Sequence, residues 1–252
     1  MNDSTRKKGA GLRAVLGVLA AACVAVSGVS CSGRSDAVAS ADSAKVPPSR
    51  EGNGAASPSA GTKPVVLFVG TSLTAGLGLD PDSAYPMLIQ RKIDSAGLKF
   101  EVVNAGVSGE TSSGLLDRLD WLLNGKFTVM VLETGANDGL RGIPAATLKA
   151  NLDTALVRIR AKRPDAHLVV IQMEALPNLG PTYAADFHRL YGDVAKKDGA
   201  TLLPFLLTDV AGHRELNQGD GIHPNNTGER MVADNVWKWL RPVLDSVAIR
   251  RK

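Results

Sequence analysis

From residue 64 onward, the sequence alternates short apolar runs with longer amphipathic stretches. The first run, 65–69, is apolar throughout, as a strand covered on both faces of a parallel sheet should be. Such strands alternating with helices are typical of βαβ units, so the pattern predicts an α/β domain around a parallel sheet. The five predicted strands are 65–69, 100–104, 129–133, 167–171 and 201–203.

The segments between these strands predict helices with recognisable ends. Ser83 is a candidate N-cap, Pro144 suits the first turn of a helix, and Gly199 suits the residue that follows a helix. Pro242 is expected to end or kink the last helix, because proline cannot donate a backbone hydrogen bond. The predicted helices are 83–96, 144–162, 183–198 and 224–247.

The first 31 residues predict an export signal. A basic stretch precedes the apolar run 14–29, which breaks into small residues before Cys31. A cysteine in this position resembles a bacterial lipoprotein signal, so lipidation is predicted at Cys31, with Cys23 as the alternative. An ordinary cleaved signal is the other interpretation. The predicted location is the cell envelope, with a lipid anchor on the periplasmic side of a membrane.

Residues 32–63 are rich in Ser, Ala, Gly, Pro and Asp and lack apolar periodicity, which predicts a flexible linker before a domain spanning 64–252. Both cysteines precede that domain, so it can hold no internal disulfide. Four of the 29 basic residues but one of the 25 acidic residues lie in the first 31 positions. The remainder is close to neutral, which argues against a nucleic-acid partner.

Residues suited to acyl transfer follow the first strand and precede the last helix. Ser72 lies in the turn after the first strand, at the sheet edge where open α/β sheets bind ligands. Asp220 lies three residues before His223, close enough to accept from one ring nitrogen and leave the other free as a base. Ser72, Asp220 and His223 are therefore the predicted nucleophile, orienting carboxylate and base. The alternative role for Ser72 is a helix N-cap.

Two further positions suit an oxyanion hole together with the Ser72 N–H. Gly109 follows the second strand, where the lack of a Cβ lets its N–H approach a substrate oxygen. Asn137 follows the third strand and carries a neutral amide donor. The alternatives are a plain turn glycine and an Asx-turn, and Asp138 is assigned to that turn.

The other three histidines are expected to lack a comparable neighbour. His167 is expected to open a strand, and His188 and His213 are expected on the surface. No two histidines stand at metal-ligand spacing and the domain has no cysteine, so no metal site is predicted. The sequence also contains no dinucleotide-binding, phosphate-loop or G-x-S-x-G motif.

Four blocks together resemble the SGNH (GDSL-type) hydrolase superfamily. They are 70–76, Gly109 with its neighbours, 135–142 and 220–225, and they are most similar to bacterial arylesterases, acyl-thioesterases and lysophospholipases. The resemblance covers about Val65 to Leu244 and implies a flavodoxin-like three-layer α/β/α fold that needs no cofactor. Thr71 departs from the family pattern, which usually has Asp before the serine. This change removes a carboxylate beside the nucleophile.

The expected function is a serine esterase that hydrolyses acyl or aryl carboxylic esters, with lysophospholipids and thioesters among its candidate substrates. The alternatives are a deacetylase of cell-envelope carbohydrate and a non-catalytic envelope lipoprotein that binds lipid. The expected partners are a small-molecule ester or lipid and, through the anchor, a membrane. Several leucines either line an acyl groove or belong to the core and loops: Leu73, Leu77, Leu79, Leu140, Leu176 and Leu179.

Overall fold

The computed structural model describes residues 63–250 and has a sheet of five parallel strands. The strands are β1 (Val65–Gly70), β2 (Glu101–Gly106), β3 (Val129–Leu132), β4 (His167–Ile171) and β5 (Thr201–Leu203). Their order across the sheet is β2-β1-β3-β4-β5. This is the flavodoxin-like strand order, so the predicted fold class is confirmed.

Seven α-helices lie within the described range and cover both faces of the sheet. They are α1 (Ser72–Ala75), α2 (Tyr85–Ser95), α3 (Ser112–Asn124), α4 (Ala136–Leu140), α5 (Ala145–Lys162), α6 (Pro181–Asp198) and α7 (Asn226–Arg250). Helix α2 packs against α7, while α5 packs against both α3 and α6. Because β1, β3 and β4 lie between these two helical layers, their side chains are buried on both faces.

The order in which successive strands are added to the sheet reverses at β1. Strand β2 pairs on one side of β1, and β3, which follows β2 in sequence, pairs on the other. The loops after β1 and β3 therefore diverge at the carboxyl edge and leave a crevice between them, where ligands of such sheets bind. Ser72 follows β1 at this edge, and Asn137 follows β3.

Some predicted element ends differ from the structure. Ser83 is not a helix N-cap: it ends a short 3-10 turn, and α2 begins at Tyr85 after Ala84, which makes no side-chain capping bond. The structure also contains three helices that were not predicted, α1, α3 and α4.

The last helix begins two residues later than predicted, and Pro242 does not end it. Pro224 does not occupy its first turn, because Pro224 forms an isolated antiparallel bridge with Asn217. The Asn225 side chain instead accepts from the backbone N–H groups of Thr227 and Gly228, and α7 begins at Asn226. Helix α7 also continues past Pro242 to Arg250.

The predicted export segment 1–31, with Cys23 and Cys31, lies outside the described residues, as does the predicted linker apart from Lys63. Among residues 63–250, no helix combines the length and the apolar character needed to cross a bilayer.

Candidate active site

Ser72 is the first residue of α1, directly after the tight turn that ends β1. Thr71 is the N-cap of this helix, and its hydroxyl accepts from the Leu73 N–H at 3.4 Å. The N-cap role that was the alternative for Ser72 therefore belongs to Thr71. Gly70 is required at the turn, because a Cβ there would lie 2.1 Å from the Thr74 hydroxyl oxygen.

His223 lies in a short loop that is closed by backbone hydrogen bonds. The Gln218 N–H donates to the His223 carbonyl at 2.7 Å, and the Gly221 N–H donates to the Gln218 carbonyl at 2.9 Å. Gly221 has a φ of 74°, which favours glycine at this turn. The loop thereby holds the backbone of His223 in one place, near the carboxyl end of β1.

Asp220, His223 and Ser72 form a continuous chain of hydrogen bonds. His223 Nδ1 lies 2.7 Å from Asp220 Oδ2, and His223 Nε2 lies 2.8 Å from Ser72 Oγ. The other Asp220 oxygen accepts from the backbone N–H groups of Ile222 and His223 at 3.0 and 3.1 Å. The bond from His223, followed by these two backbone bonds, lowers the pKa of Asp220 to about 2. Asp220 is therefore ionised at neutral pH and orients the imidazole.

A second carboxylate accepts hydrogen bonds from residues on either side of Ser72. Glu133 directly follows β3 and is fully buried. It accepts from the Thr71 N–H at 2.8 Å, from the Thr71 hydroxyl at 3.0 Å and from the Thr74 hydroxyl at 2.9 Å. Burial raises the pKa of Glu133, and these hydrogen bonds oppose that rise. The sequence interpretation gave Glu133 no role beyond ending a strand.

The three candidate oxyanion donors differ in whether they already donate a hydrogen bond within the protein. Neither the Ser72 N–H nor the Gly109 N–H has a hydrogen-bond acceptor within residues 63–250. The Asn137 side-chain amide donates one bond to the Glu110 carbonyl at 2.9 Å, and an amide nitrogen carries a second hydrogen that this bond leaves free. Within residues 63–250 no backbone N–H donates to Asn137 Oδ1, and the Gly139 N–H donates to the Gly135 carbonyl, so Asn137 does not form the alternative Asx-turn.

Gly109 is fixed relative to the other donors by its neighbours. Its φ of 79° favours glycine, so the turn role considered for it is real. The Gly109 carbonyl accepts from the Arg141 guanidinium at 2.9 Å, and the next residue, Glu110, binds Asn137. Arg118 makes a two-pronged pair with the largely buried Glu110 carboxylate, at 2.5 and 2.7 Å. This network ties the loop after β2 to α4 and α3.

A cavity of about 470 Å³ opens at Ser72 and is lined mainly by apolar side chains. Ser72, Asn137 and His223 line it, whereas Gly109 does not. Of the candidate groove leucines, Leu73, Leu140 and Leu176 contribute to the lining, while Leu77, Leu79 and Leu179 do not. Further apolar lining residues that were not predicted include Met173, Phe205, Leu207 and Ile222.

The expectation that assigned Asp138 to a turn was wrong. Asp138 does not serve a turn, because it is buried and accepts from the Ser112 N–H and hydroxyl at 2.9 and 2.5 Å. It thereby joins α4 to the start of α3.

His188 and His213 do have carboxylate neighbours, with Nδ1 of each ring 2.7 Å from Glu174 and 3.3 Å from Glu215, respectively. Both rings are exposed, as predicted, and His167 opens β4, as predicted. Among the described histidines, a hydrogen bond to a serine is found at His223 alone.

Comparison with known proteins shows the family to which the chain belongs. The GDSL-like lipase/acylhydrolase family matches residues 68–231. Esterase TesA of Pseudomonas aeruginosa is 41% identical over 180 residues, which are 71% of this chain and 89% of that protein. The thioesterase 1/protease 1/lysophospholipase L1 of Escherichia coli K12 is 36% identical over 181 residues, 71% of this chain and 85% of that protein.

A solved structure shares the fold as well. The crystal structure of esterase EstA from a Pseudoalteromonas species, inhibited by monoethylphosphonate, has a TM-score of 0.68 and 32% sequence identity. The match covers 72% of this chain and 98% of that one. The chain therefore belongs to the GDSL-like lipase/acylhydrolase family, and it is an enzyme that hydrolyses ester bonds.

Proposed function

We propose that this enzyme hydrolyses carboxylic esters through an acyl intermediate on Ser72. The observation that carries the proposal is the chain of bonds from Asp220 through His223 to Ser72, with lengths of 2.7 and 2.8 Å. A nucleophile within hydrogen-bond reach of a base, which a third group orients, is the arrangement that activates a serine hydroxyl.

In the first half of the reaction, Ser72 Oγ attacks the acyl carbonyl while His223 Nε2 takes its proton. Asp220 stabilises the imidazolium that forms. His223 then gives this proton to the leaving oxygen, the bond from the acyl carbon to that oxygen breaks, and the acyl group remains on Ser72. The free Nε2 of His223 is restored at the end of this half.

In the second half, water attacks the acyl-enzyme and His223 takes the proton from the water. The bond to Ser72 Oγ breaks, Ser72 regains a proton from His223, and the carboxylic acid leaves. In both halves the N–H groups of Ser72 and Gly109 and the Asn137 amide stabilise the negative oxygen. Their unoccupied donors support this role, because such a hole acts through donors that are in place before charge develops.

The lining of the cavity favours esters with an apolar acyl chain. Leu140, Leu176 and Phe205 present hydrocarbon to any group bound beside Ser72, and burying a methylene group contributes roughly 0.8 kcal/mol. The candidate substrates all contain an apolar group that could bind there. They are acyl and aryl esters, lysophospholipids and thioesters. The carbohydrate deacetylase considered above would need polar side chains around a sugar, and the apolar lining disfavours it.

A fluorophosphonate probe followed by mass spectrometry tests the proposed mechanism. We expect one adduct, on Ser72, and none in Ser72→Ala or His223→Ala. The kcat for a p-nitrophenyl ester should fall by a factor on the order of 10⁶ in each variant. His213→Ala is the matched control, because it also removes a histidine beside a carboxylate, and it should react as the unaltered protein does.

Folded protein that takes up no probe, or His223→Ala with full turnover, would contradict the mechanism. A series of p-nitrophenyl esters from acetate to long acyl chains then tests the substrate class. Rates that rise with chain length support the apolar acyl site. A preference for acetylated sugars would favour the deacetylase.

We further propose export to the cell envelope and lipidation at Cys31, on the basis of the N-terminal sequence. Incorporation of labelled palmitate by cells that express the full chain tests this location. Cys31→Ala should abolish the label and Cys23→Ala should retain it. The opposite pattern would place the lipid on Cys23, and no label in any form would indicate an ordinary cleaved signal.

A further inference from the structure

Glu174 differs from the other residues around the cavity beside Ser72. Of the described residues that line it, Glu174 is the only Asp, Glu, Lys or Arg. Its neighbours in the lining, Met173, Ala175 and Leu176, are apolar. At this partly exposed edge of an otherwise apolar lining, water screens the carboxylate less than it would in bulk solvent.

Among the described residues, no lysine or arginine pairs with the carboxylate of Glu174. Glu174 Oε1 lies 2.6 Å from Gln172 Nε2 and 2.7 Å from His188 Nδ1. Gln172 is uncharged, and within residues 63–250 the ion pairs of Glu174 involve His188 and neither lysine nor arginine. The Glu174 side chain is about one-third exposed (31%), so it reaches the cavity from a partly open edge.

Glu174 also lies away from the position where the ester bond would break. It follows β4, whereas Ser72 follows β1, and β3 lies between these two strands. Neighbouring strands lie about 4.8 Å apart, so the two strands are separated by roughly 10 Å. A group bound at Ser72 would meet Glu174 through its remote part and not through its carbonyl.

We propose that Glu174 makes the acyl site selective for charge. The site accepts acyl chains that end in a neutral or cationic group and rejects chains that end in an anion. Rejection through repulsion is a common route to specificity, because an unfavourable contact with the wrong substrate discriminates as well as a favourable one with the right substrate. This inference rests on the proposed function, since it requires the acyl chain to occupy the cavity beside Ser72.

Three p-nitrophenyl esters with acyl chains of equal carbon number test the proposal. They are the hexanoate, which is neutral, the adipate monoester, which ends in a carboxylate, and the aminohexanoate, which ends in an ammonium group. For the unaltered protein we expect kcat/KM to be about tenfold lower for the adipate than for the hexanoate. Adding salt should reduce this difference, because salt screens partly exposed charges.

Glu174→Gln and Glu174→Lys change the charge in equal steps. The ratio of kcat/KM for adipate to that for hexanoate should rise about tenfold in Glu174→Gln and rise again in Glu174→Lys, while the aminohexanoate ratio falls. Using ratios removes any general loss of activity in these variants. Asp186→Asn is the matched control, because Asp186 is an exposed carboxylate that does not line this cavity, and its ratios should stay unchanged.

Ratios that are equal in the unaltered protein and in both variants would overturn the charge selectivity, and so would a change that Asp186→Asn reproduces. The Ser72→Ala variant separates this failure from failure of the proposed function. If Ser72→Ala still hydrolyses the hexanoate at the full rate, the proposed mechanism is wrong. If Ser72→Ala is inactive and the ratios do not move, only the role of Glu174 is wrong.

Discussion

Glu133 accepts two hydrogen bonds from Thr71, one from its backbone N–H at 2.8 Å and one from its hydroxyl at 3.0 Å. Thr71 precedes the candidate nucleophile, so this contact joins the turn after β1 to the end of β3. The family pattern usually has Asp at position 71, and its absence suggested that a carboxylate beside the nucleophile had been lost. A buried carboxylate at the end of the neighbouring strand lies against Thr71, and the threonine hydroxyl donates to it.

Thr71→Val tests the contribution of this hydroxyl. The change keeps the shape of the side chain but removes a donor to a buried carboxylate, so we expect the free energy of unfolding to fall by about 1–3 kcal/mol. Thr71→Ser keeps the hydroxyl and should lose less. Urea unfolding of the three proteins measures the difference. A loss in Thr71→Ser that is absent from Thr71→Val would show that the methyl group, and not the hydroxyl, is responsible.

Asn137→Ala tests the proposed oxyanion donor on the side chain. Loss of one such donor lowers kcat by a factor of about 10²–10³, because the donor stabilises charge that develops only in the transition state. Asn235→Ala is the matched control, since the Asn235 amide also donates to a backbone carbonyl but lies outside the cavity lining. A similar decrease of kcat in both variants, measured with a p-nitrophenyl ester, would contradict the assignment.

The sequence allowed the sheet, its helical layers and the candidate catalytic residues to be predicted, because these depend on local patterns. Apolar runs identify strands, and Asp220 and His223 lie close together in the chain. Helix α3 was missed although its pattern is legible: Leu115, Leu119 and Leu122 recur at helical spacing and are buried. The local pattern was therefore sufficient to predict α3.

Other features depend on contacts between distant segments, and sequence spacing gives no signal for them. Glu133 meets Thr71 across 62 residues of chain, and His188 meets Glu174 from a different element. In the sequence, the role of Glu133 is indicated only by its position, because it is a charged residue at the end of an apolar strand. The apolar lining residues after β5, such as Phe205 and Leu207, could not be separated from ordinary core residues without the sheet order.

Gln218→Ala tests how the loop that carries His223 is held. The Gln218 amide donates to the Leu77 carbonyl at 2.7 Å and to the Pro224 carbonyl at 2.9 Å, so it joins the segment after Ser72 to the segment after His223. Because Gln218 does not line the cavity, we expect kcat to fall about 10-fold or more while KM changes little.

Gln90→Ala provides the control for Gln218. Gln90 also bonds two backbone groups, the Val102 N–H at 2.6 Å and the Phe100 carbonyl at 3.3 Å, but it lies in α2 and joins that helix to the start of β2. Both variants should lose stability to urea, and the decrease in kcat should be confined to Gln218→Ala. If kcat is retained in Gln218→Ala despite a loss of stability, then Gln218 holds the fold and does not position His223.

Glu229 makes the stability of the protein depend on pH. It is buried in α7 and accepts from the Tyr85 N–H at 2.7 Å, at the start of α2, where Ala84 offers no side-chain cap. Burial raises the pKa of Glu229 from 4.5 to about 8, although the bond from Tyr85 opposes the rise. Between these two values the folded protein binds more protons at this site than the unfolded chain does.

The free energy of unfolding should therefore fall as the pH rises through this range, because the unfolded chain ionises Glu229 first. Glu229→Gln keeps an acceptor for Tyr85 but cannot ionise. From about pH 5 to about pH 8, we expect the unaltered protein to lose a few kcal/mol relative to Glu229→Gln, and the two curves should run parallel at higher pH. Urea unfolding across this range measures both curves. A constant difference between them would mean that Glu229 keeps an ordinary pKa despite its burial.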